Sequence, residues 1–189
     1  MIAYIESNFF LEIALRQQQT GAAEAILALA EQQKVELICP AFSLSEPFST
    51  LSKREADRRR LSKSLNETLR DLSRSTANQG LVSSIKPAAD ILINIAKTEL
   101  DALQVTMSRF LQVGRTLETT ADILGQAQTY QTTFALSPQD SIIYAAIIHD
   151  LDLRKGIAEK KCFISRNWKD FRVPRILGQL TSLNCMYWE

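Results

Sequence analysis

Three short apolar runs constrain this chain most: Ile2–Ile5, Val35–Cys39 and Cys162–Ile164. Each is too short for a helix and is bounded by stretches whose apolar residues recur at helical spacing. Runs of this kind, without strict alternation, read as strands covered on both faces. Asn184 to Trp188 reads as a fourth. Strands alternating with helices require a parallel sheet, because each parallel crossover needs a long connection. The expected fold class is therefore α/β: a short central parallel sheet of four or five strands, flanked by helices in three layers.

The intervening segments carry their own punctuation. A helix opens near Ser7 or Asn8, turns Phe9, Phe10, Ile13 and Ala14 inward, and breaks at Thr20 and Gly21. A second covers about 22–33, with Ala23, Ile26, Leu27 and Ala30 on one face. From about 45 to 75, Leu51, Leu61, Leu65, Leu69 and Leu72 keep helical intervals. Asn78, Gly80, two serines and Pro87 predict a loop over 76–87. A long helix is predicted at about 88–112, with Leu92, Ile95, Ala96, Leu100, Leu103, Met107, Phe110 and Leu111 as its stripe, and another at about 117–134. Ser137-Pro138-Gln139-Asp140 is a strong helix start, with an N-cap, a proline at the first position and an acidic third residue. The helix it opens is apolar nearly all round and should be buried.

Composition narrows the class. With 46% hydrophobic and 23% charged residues, the 189-residue chain can bury a sizeable core and is expected to form one domain over 1–189. The net charge is +1, so nucleic-acid binding would need a local basic patch. The start of the chain lacks a basic segment followed by a long apolar run, and no apolar stretch is long enough for a membrane span. Three scattered cysteines and one histidine supply no local zinc motif; Cys39, Cys162 and Cys185 are expected as reduced, buried thiols of a cytoplasmic protein.

In open α/β sheets, ligands bind at the carboxyl ends of the strands. Glu6 follows the first run directly, Glu46 lies just past the second, and Asn167 and Asp170 lie just past the third. Asp140 starts the helix that feeds the third run, and such a helix runs antiparallel to its strand, so Asp140 belongs to the same edge. Clustered carboxylates repel unless a cation neutralises them, and an all-oxygen set favours Mg²⁺ or Mn²⁺. Ordinary roles exist for each residue alone. Asp140 and Glu46 suit capping boxes, and Asp170 suits an ion pair with Lys169 or Arg172. The basic run Arg54, Arg58, Arg59, Arg60 and Lys63 suits a solvated helix face, being interleaved with Glu55 and Asp57. His149 lies far along its helix from the acidic end, and Trp168 suits a rim aromatic.

Four segments together resemble the PIN-domain family of metal-dependent ribonucleases. Tyr4-Ile5-Glu6-Ser7-Asn8-Phe9-Phe10-Leu11 is similar to the family's opening strand and turn, where the acidic residue is usually Asp. Pro40-Ala41-Phe42-Ser43-Leu44-Ser45-Glu46 resembles its second acidic motif, and Ser137 through Ala146 its third. Ile164-Ser165-Arg166-Asn167-Trp168-Lys169-Asp170-Phe171 resembles the fourth. The match runs from residue 4 to residue 171 and leaves about 62–130 as an expected helical elaboration. The resemblance implies hydrolysis of RNA phosphodiesters, with Glu6, Glu46, Asp140 and Asp170 holding Mg²⁺ or Mn²⁺ and Asn167 orienting phosphate or water. It also implies Ser7, Asn8, Arg58 and Arg166 as contacts to phosphate or RNA. RNA, a cognate antitoxin protein and a second copy of the chain are the partners it suggests. Glu6 in place of Asp leaves a second reading open, a PIN-like domain without catalysis that binds RNA or protein. An unrelated phosphatase-like hydrolase is disfavoured, since neither a Gly-rich phosphate loop nor an early Asp-x-Asp motif is present.

Overall fold

The computed structural model describes residues 1–189. In chain order the elements are β1 (Ile2–Ile5), α1 (Ser7–Ala14), α2 (Thr20–Glu31), β2 (Glu36–Pro40), a 3₁₀ turn (Ala41–Leu44) and α3 (Glu46–Leu72). A second 3₁₀ turn (Thr76–Asn78) leads to α4 (Gln79–Val113), β3 (Arg115–Leu117), α5 (Ala121–Phe134) and α6 (Pro138–Leu153). β4 (Lys161–Ile164), α7 (Trp168–Phe171), α8 (Pro174–Ser182) and β5 (Cys185–Trp188) follow. The five strands form one parallel sheet in the order β3-β2-β1-β4-β5, so the α/β expectation holds with five strands.

Alternation of side chains along the strands separates two cores. Ile2, Tyr4, Ile38 and Phe163 face one side and pack with α5, α6 and α8. Ala3, Ile5, Leu37, Cys39 and Cys162 face the other and pack with α1, α2 and α4. Three layers result. Each fully buried Phe, Ile or Leu contributes roughly 1.5–3 kcal/mol relative to an exposed one. α6 is buried on nearly every face, as its sequence requires, and only positions such as His149 reach solvent.

Two sequence expectations need correction. The predicted loop over 76–87 is mostly helix: α4 starts at Gln79 and carries Pro87 inside it. Packing overrides the local signals. Ser62 Oγ donates to the Ala89 carbonyl at 3.0 Å, and Arg58 grips Glu99 across the same pair of helices. As residues on α3 advance, their partners on α4 retreat, so the two helices form an antiparallel arm, α3 extending about 40 Å and α4 about 50 Å at 1.5 Å per residue. The second correction is β3. Arg115–Leu117 was expected to lead into a helix, but it pairs with Ile38–Pro40 and forms an edge strand. The stretch 62–130 therefore supplies a strand to the sheet as well as the arm.

The chain steps from β1 to β2 to β3 in one direction, then returns to place β4 on the other side of β1. The sheet's order thus reverses between β1 and β4, and a crevice opens at the carboxyl ends of such a pair.

Candidate active site

Glu6 leaves β1 into this crevice and N-caps α1. Ser7 Oγ donates to its Oε2 at 2.8 Å, and the Asn8 backbone N–H donates to the same oxygen at 2.9 Å. Ser7 and Asn8 therefore position Glu6. Capping is usually done by shorter side chains; the extra methylene lets this carboxyl curl back over its own helix start. The residue is only 3% exposed, and Oε1 is buried without a partner. Burial pushes the carboxyl above the ordinary Glu value, while the hydrogen bonds from Asn8 and Ser7 pull it back.

Asp140 is fixed by a reciprocal cap. Its backbone N–H donates to Ser137 Oγ at 3.1 Å, and that hydroxyl donates to Asp140 Oδ2. Its other oxygen, Oδ1, accepts from Asn167 Nδ2 at 3.0 Å. The Asn167 backbone N–H donates to Ser165 Oγ at 3.0 Å. Two sequence-distant segments are thereby joined, the α6 start and the β4 exit, and the pairing of Ile5 with Ile164 sets Glu6 beside Ser165 at the ends of β1 and β4. Sequence reasoning missed Ser165, whose hydroxyl holds the Asn167 backbone N–H. Its position between a strand end and Asn167 was the only signal available.

The remaining acidic candidates stand apart. Glu46 begins α3, just after a 3₁₀ turn that packs on α6, and its carboxylate makes no hydrogen bond. Asp170 lies in α7, half-buried, with only its backbone N–H bonded, to the Asn167 carbonyl at 3.2 Å. No three His, Cys, Asp or Glu side chains gather closely enough to share one ion.

Arginines expected on phosphate are engaged by carboxylates. Arg58 is bidentate to Glu99, with one contact at 2.8 Å, and joins α3 to α4. Arg166 pairs with Glu12 and meets Gln17 at 3.0 Å. Glu12, missed in the sequence, is buried and also accepts from the Gln19 backbone N–H. Arg59 and Arg60 pair with Glu55 and Asp57 within α3. Trp168 is 52% exposed, with Lys169 near its ring.

Cys39 also lies near Glu6, with Ser43 beside the thiol. Burial holds the Cys39 thiol well above its ordinary value, and the nearby Glu6 charge adds to this. The Ser43 hydroxyl is buried and donates to nothing.

The donor set is one of hard oxygens. Mg²⁺ holds most of its waters and commonly takes one or two carboxylates plus substrate phosphate rather than a full protein cage. The partnerless Glu6 Oε1 and the Asp140 carboxylate fit that use, although no closed cage exists. No helix is long and apolar enough to cross a membrane. A family model for the PIN domain matches residues 3–171. No curated protein and no solved structure matches the chain.

Proposed function

The chain belongs to the PIN-domain family, a nuclease-type fold, and on that premise we propose that it is a metal-dependent endoribonuclease acting at the β1–β4 crevice. The observation that supports this most is the Asp140–Asn167 hydrogen bond of 3.0 Å, which brings the α6 start to the β4 exit beside Glu6. Asp140 and Glu6 would hold Mg²⁺ or Mn²⁺, with Glu46 and Asp170 within the same edge. When bound, the ion lowers the pKa of a water and offsets charge on the scissile phosphate. Asn167 fixes the direction of Asp140, Ser137 fixes its second oxygen, and Ser7 and Asn8 fix Glu6. Positional error of even half an ångström is costly at such sites.

Mg²⁺- or Mn²⁺-dependent cleavage of single-stranded RNA by purified protein tests the reading. Asp140→Asn keeps the shape and removes the charge, so cleavage should fall by at least a hundredfold. Cleavage that survives both EDTA and Asp140→Asn would reject this site. We extend the proposal to a cytoplasmic setting, where three buried thiols stay reduced, and to the toxin role of a toxin–antitoxin pair. A cognate antitoxin and a second copy of the chain are the protein partners it calls for. Growth arrest on expression, relieved by co-expressing a neighbouring gene, tests the toxin role.

One observation favours the non-catalytic alternative, an RNA-binding or protein-interaction module. Glu6 is buried, turned into its own helix cap and disfavoured as an anion. RNA binding without cleavage in either metal would establish that reading instead.

A further inference from the structure

Away from the sheet, the arm formed by α3 and α4 buries little. Ser62 and Leu69 are the only buried residues of α3 after Leu51, and Ala89 is the only one of α4 before Ala96. Apolar side chains are nevertheless plentiful there. Leu61, Leu65 and Leu72 recur along α3 with Thr68 among them, and Leu81, Ala88, Ile91 and Ile95 recur along α4 with Ser84 among them. Spacings of three and four put each set in one row along its helix. Because both helices are right-handed and they run antiparallel, the two rows lie on the same flank of the seam they share. The result is a face two helices wide whose rows carry no charged residue. Lys63, Glu67 and Arg70 on α3, and Lys86, Asp90 and Lys97 on α4, fall outside both rows. Leu61 is 57% exposed, Leu81 53% and Ile91 54%, so nothing in the chain itself covers this face.

The α4 row has a symmetry of its own. Leu81 and Ile95 each stand seven residues from Ala88. A second α4 laid antiparallel, with the two-fold axis at Ala88, sets Leu81 of each copy against Ile95 of the other. The small Ala88 then meets itself where the helices come closest. Ile95 is also one wall of a groove of about 320 Å³ at the base of the arm, where Ala14 and Leu15 at the end of α1 face Ile91 and Ala102 of α4. The apolar knob that matches this groove is Leu81, at the arm's tip. At 1.5 Å per residue, Gln79 at the start of α4 lies about 14 Å from Ala88, and Thr98, in the groove wall, lies about 15 Å from it on the other side. The tip of one arm therefore reaches the groove of the other before the two bodies collide.

From this self-matching face we propose that two copies of the chain associate through their arms as an antiparallel four-helix bundle, α4 against α4 and α3 against α3, with Leu81 of each copy seated in the groove of the other. The proposal assigns a surface to the second copy named above and uses none of the nuclease chemistry. Two helices bury only the seam between them, whereas four bury two flanks of each. With no charge in either row, the two-fold axis brings no like charges together. A face about 20 Å wide and about 21 Å long projects about 400 Å², which puts the contact at the small end of specific interfaces and its dissociation constant in the micromolar range.

Sedimentation velocity of the full chain from about 1 to 200 µM brackets that range and tests the association. We expect the wild type to pass from monomer to dimer across the series and Leu81→Glu to stay monomeric throughout. Leu81 is exposed in the monomer, so the variant should melt at the wild-type temperature. Ala88→Cys gives a second reading that does not depend on weakening the contact. Cys39, Cys162 and Cys185 are all buried, so the new thiol is the reactive one. Oxidation by copper phenanthroline should join two copies through it at least tenfold faster than through Lys86→Cys, whose position is on the other side of α4. A disulfide needs Cα atoms within about 7 Å, so this rate reports where the axis lies. Wild type that stays monomeric at every concentration overturns the proposal. So does a dimer that Leu81→Glu leaves intact, or one that crosslinks no faster at position 88 than at position 86. Monomeric protein with metal-dependent cleavage removes the arm interface and leaves the nuclease. A dimer that Leu81→Glu abolishes, in a protein that cleaves nothing, supports the interface and removes the nuclease.

Discussion

One methylene at Glu6 divides the two functional readings. An Asp at this position would hold its carboxylate roughly 1.5 Å closer to the backbone. It would then have less reach to curl over the α1 start, where Glu6 Oε2 now accepts from Ser7 and Asn8. Glu6→Asp therefore separates a site adapted to Glu from one displaced by it. If Oε1 is a working ligand where it stands, shortening the side chain should lower Mn²⁺-dependent RNA cleavage about tenfold or more. Single-turnover rates on a labelled single strand measure this. A rise in rate would instead mean that the natural Glu holds the site off its productive geometry. Because Ser7 can still donate to an Asp cap, the thermal midpoint should change little, so the comparison reads chemistry rather than folding. The acidic positions themselves were legible in sequence, since strand exits and helix starts fix which edge a residue occupies. Their partners were not. Nothing in a linear reading shows that Arg58 would be taken by Glu99 or Arg166 by Glu12, because those ion pairs depend on distances across 41 and 154 residues.

At the scale of elements, the end of the sheet opposite the crevice is locked by a charge network. Glu36 on β2 accepts from Arg154 at the end of α6, at 2.8 Å, and from Arg115 on β3 at 3.3 Å. Arg115 and Arg154 also reach Asp150, which accepts from Tyr4 Oη at 2.7 Å. The Arg154 hydrogen bond is the main cause of a Glu36 carboxyl held below its ordinary value. A carboxyl lowered by folding adds stability that is complete above its unfolded pKa of about 4.3 and is lost as pH falls through the lower folded value. Glu36→Gln should thus cost about 0.5–1 kcal/mol at pH 7, a modest figure because the group is part-exposed. The difference from wild type should shrink steadily between about pH 4.5 and pH 3. Urea midpoints at pH 7, 5, 4 and 3 would show it, and a gap of constant size down to pH 3 would rule out the ion pair as its source. β3 owes part of its place to this network. Three residues with one buried position carry too weak a pattern to be seen as a strand, and Arg115 looks like a surface residue until its partners are known. The α4 start was hidden for the opposite reason. Gly80 and Pro87 are strong local breakers, and only packing along α3 makes the helix the better choice there.

For the whole molecule, the sheet is shared by two cores that do not otherwise meet, and this predicts how it unfolds. The three central strands give alternate side chains to opposite layers, so neither core can open there without exposing the back of the other. The three cysteines sample both sides. Cys39 and Cys162 belong to the layer of α1, α2 and α4, and Cys185 belongs to the layer of α5, α6 and α8. All are buried, with Cys162 pushed up to about 11 and Cys185 to about 12 by burial, and Cys39 also well above its ordinary value for the same cause. At pH 8 almost no thiolate is present in the folded protein, and access adds a second barrier. Pulsed alkylation along a urea series, read by mass spectrometry, should therefore show only two populations, unmodified and triply modified, with one midpoint shared by far-ultraviolet circular dichroism. Cys185 is the critical reporter, because β5 is an edge strand paired only with β4. A singly labelled species carrying its mark on Cys185 below the main transition would mean that β5 and α8 open as a separate unit. Since Phe163 and Ile176 are fully buried in the same core as Cys185, that opening would have to expose them too. Such exposure is costly enough that the cooperative outcome is the one the packing predicts.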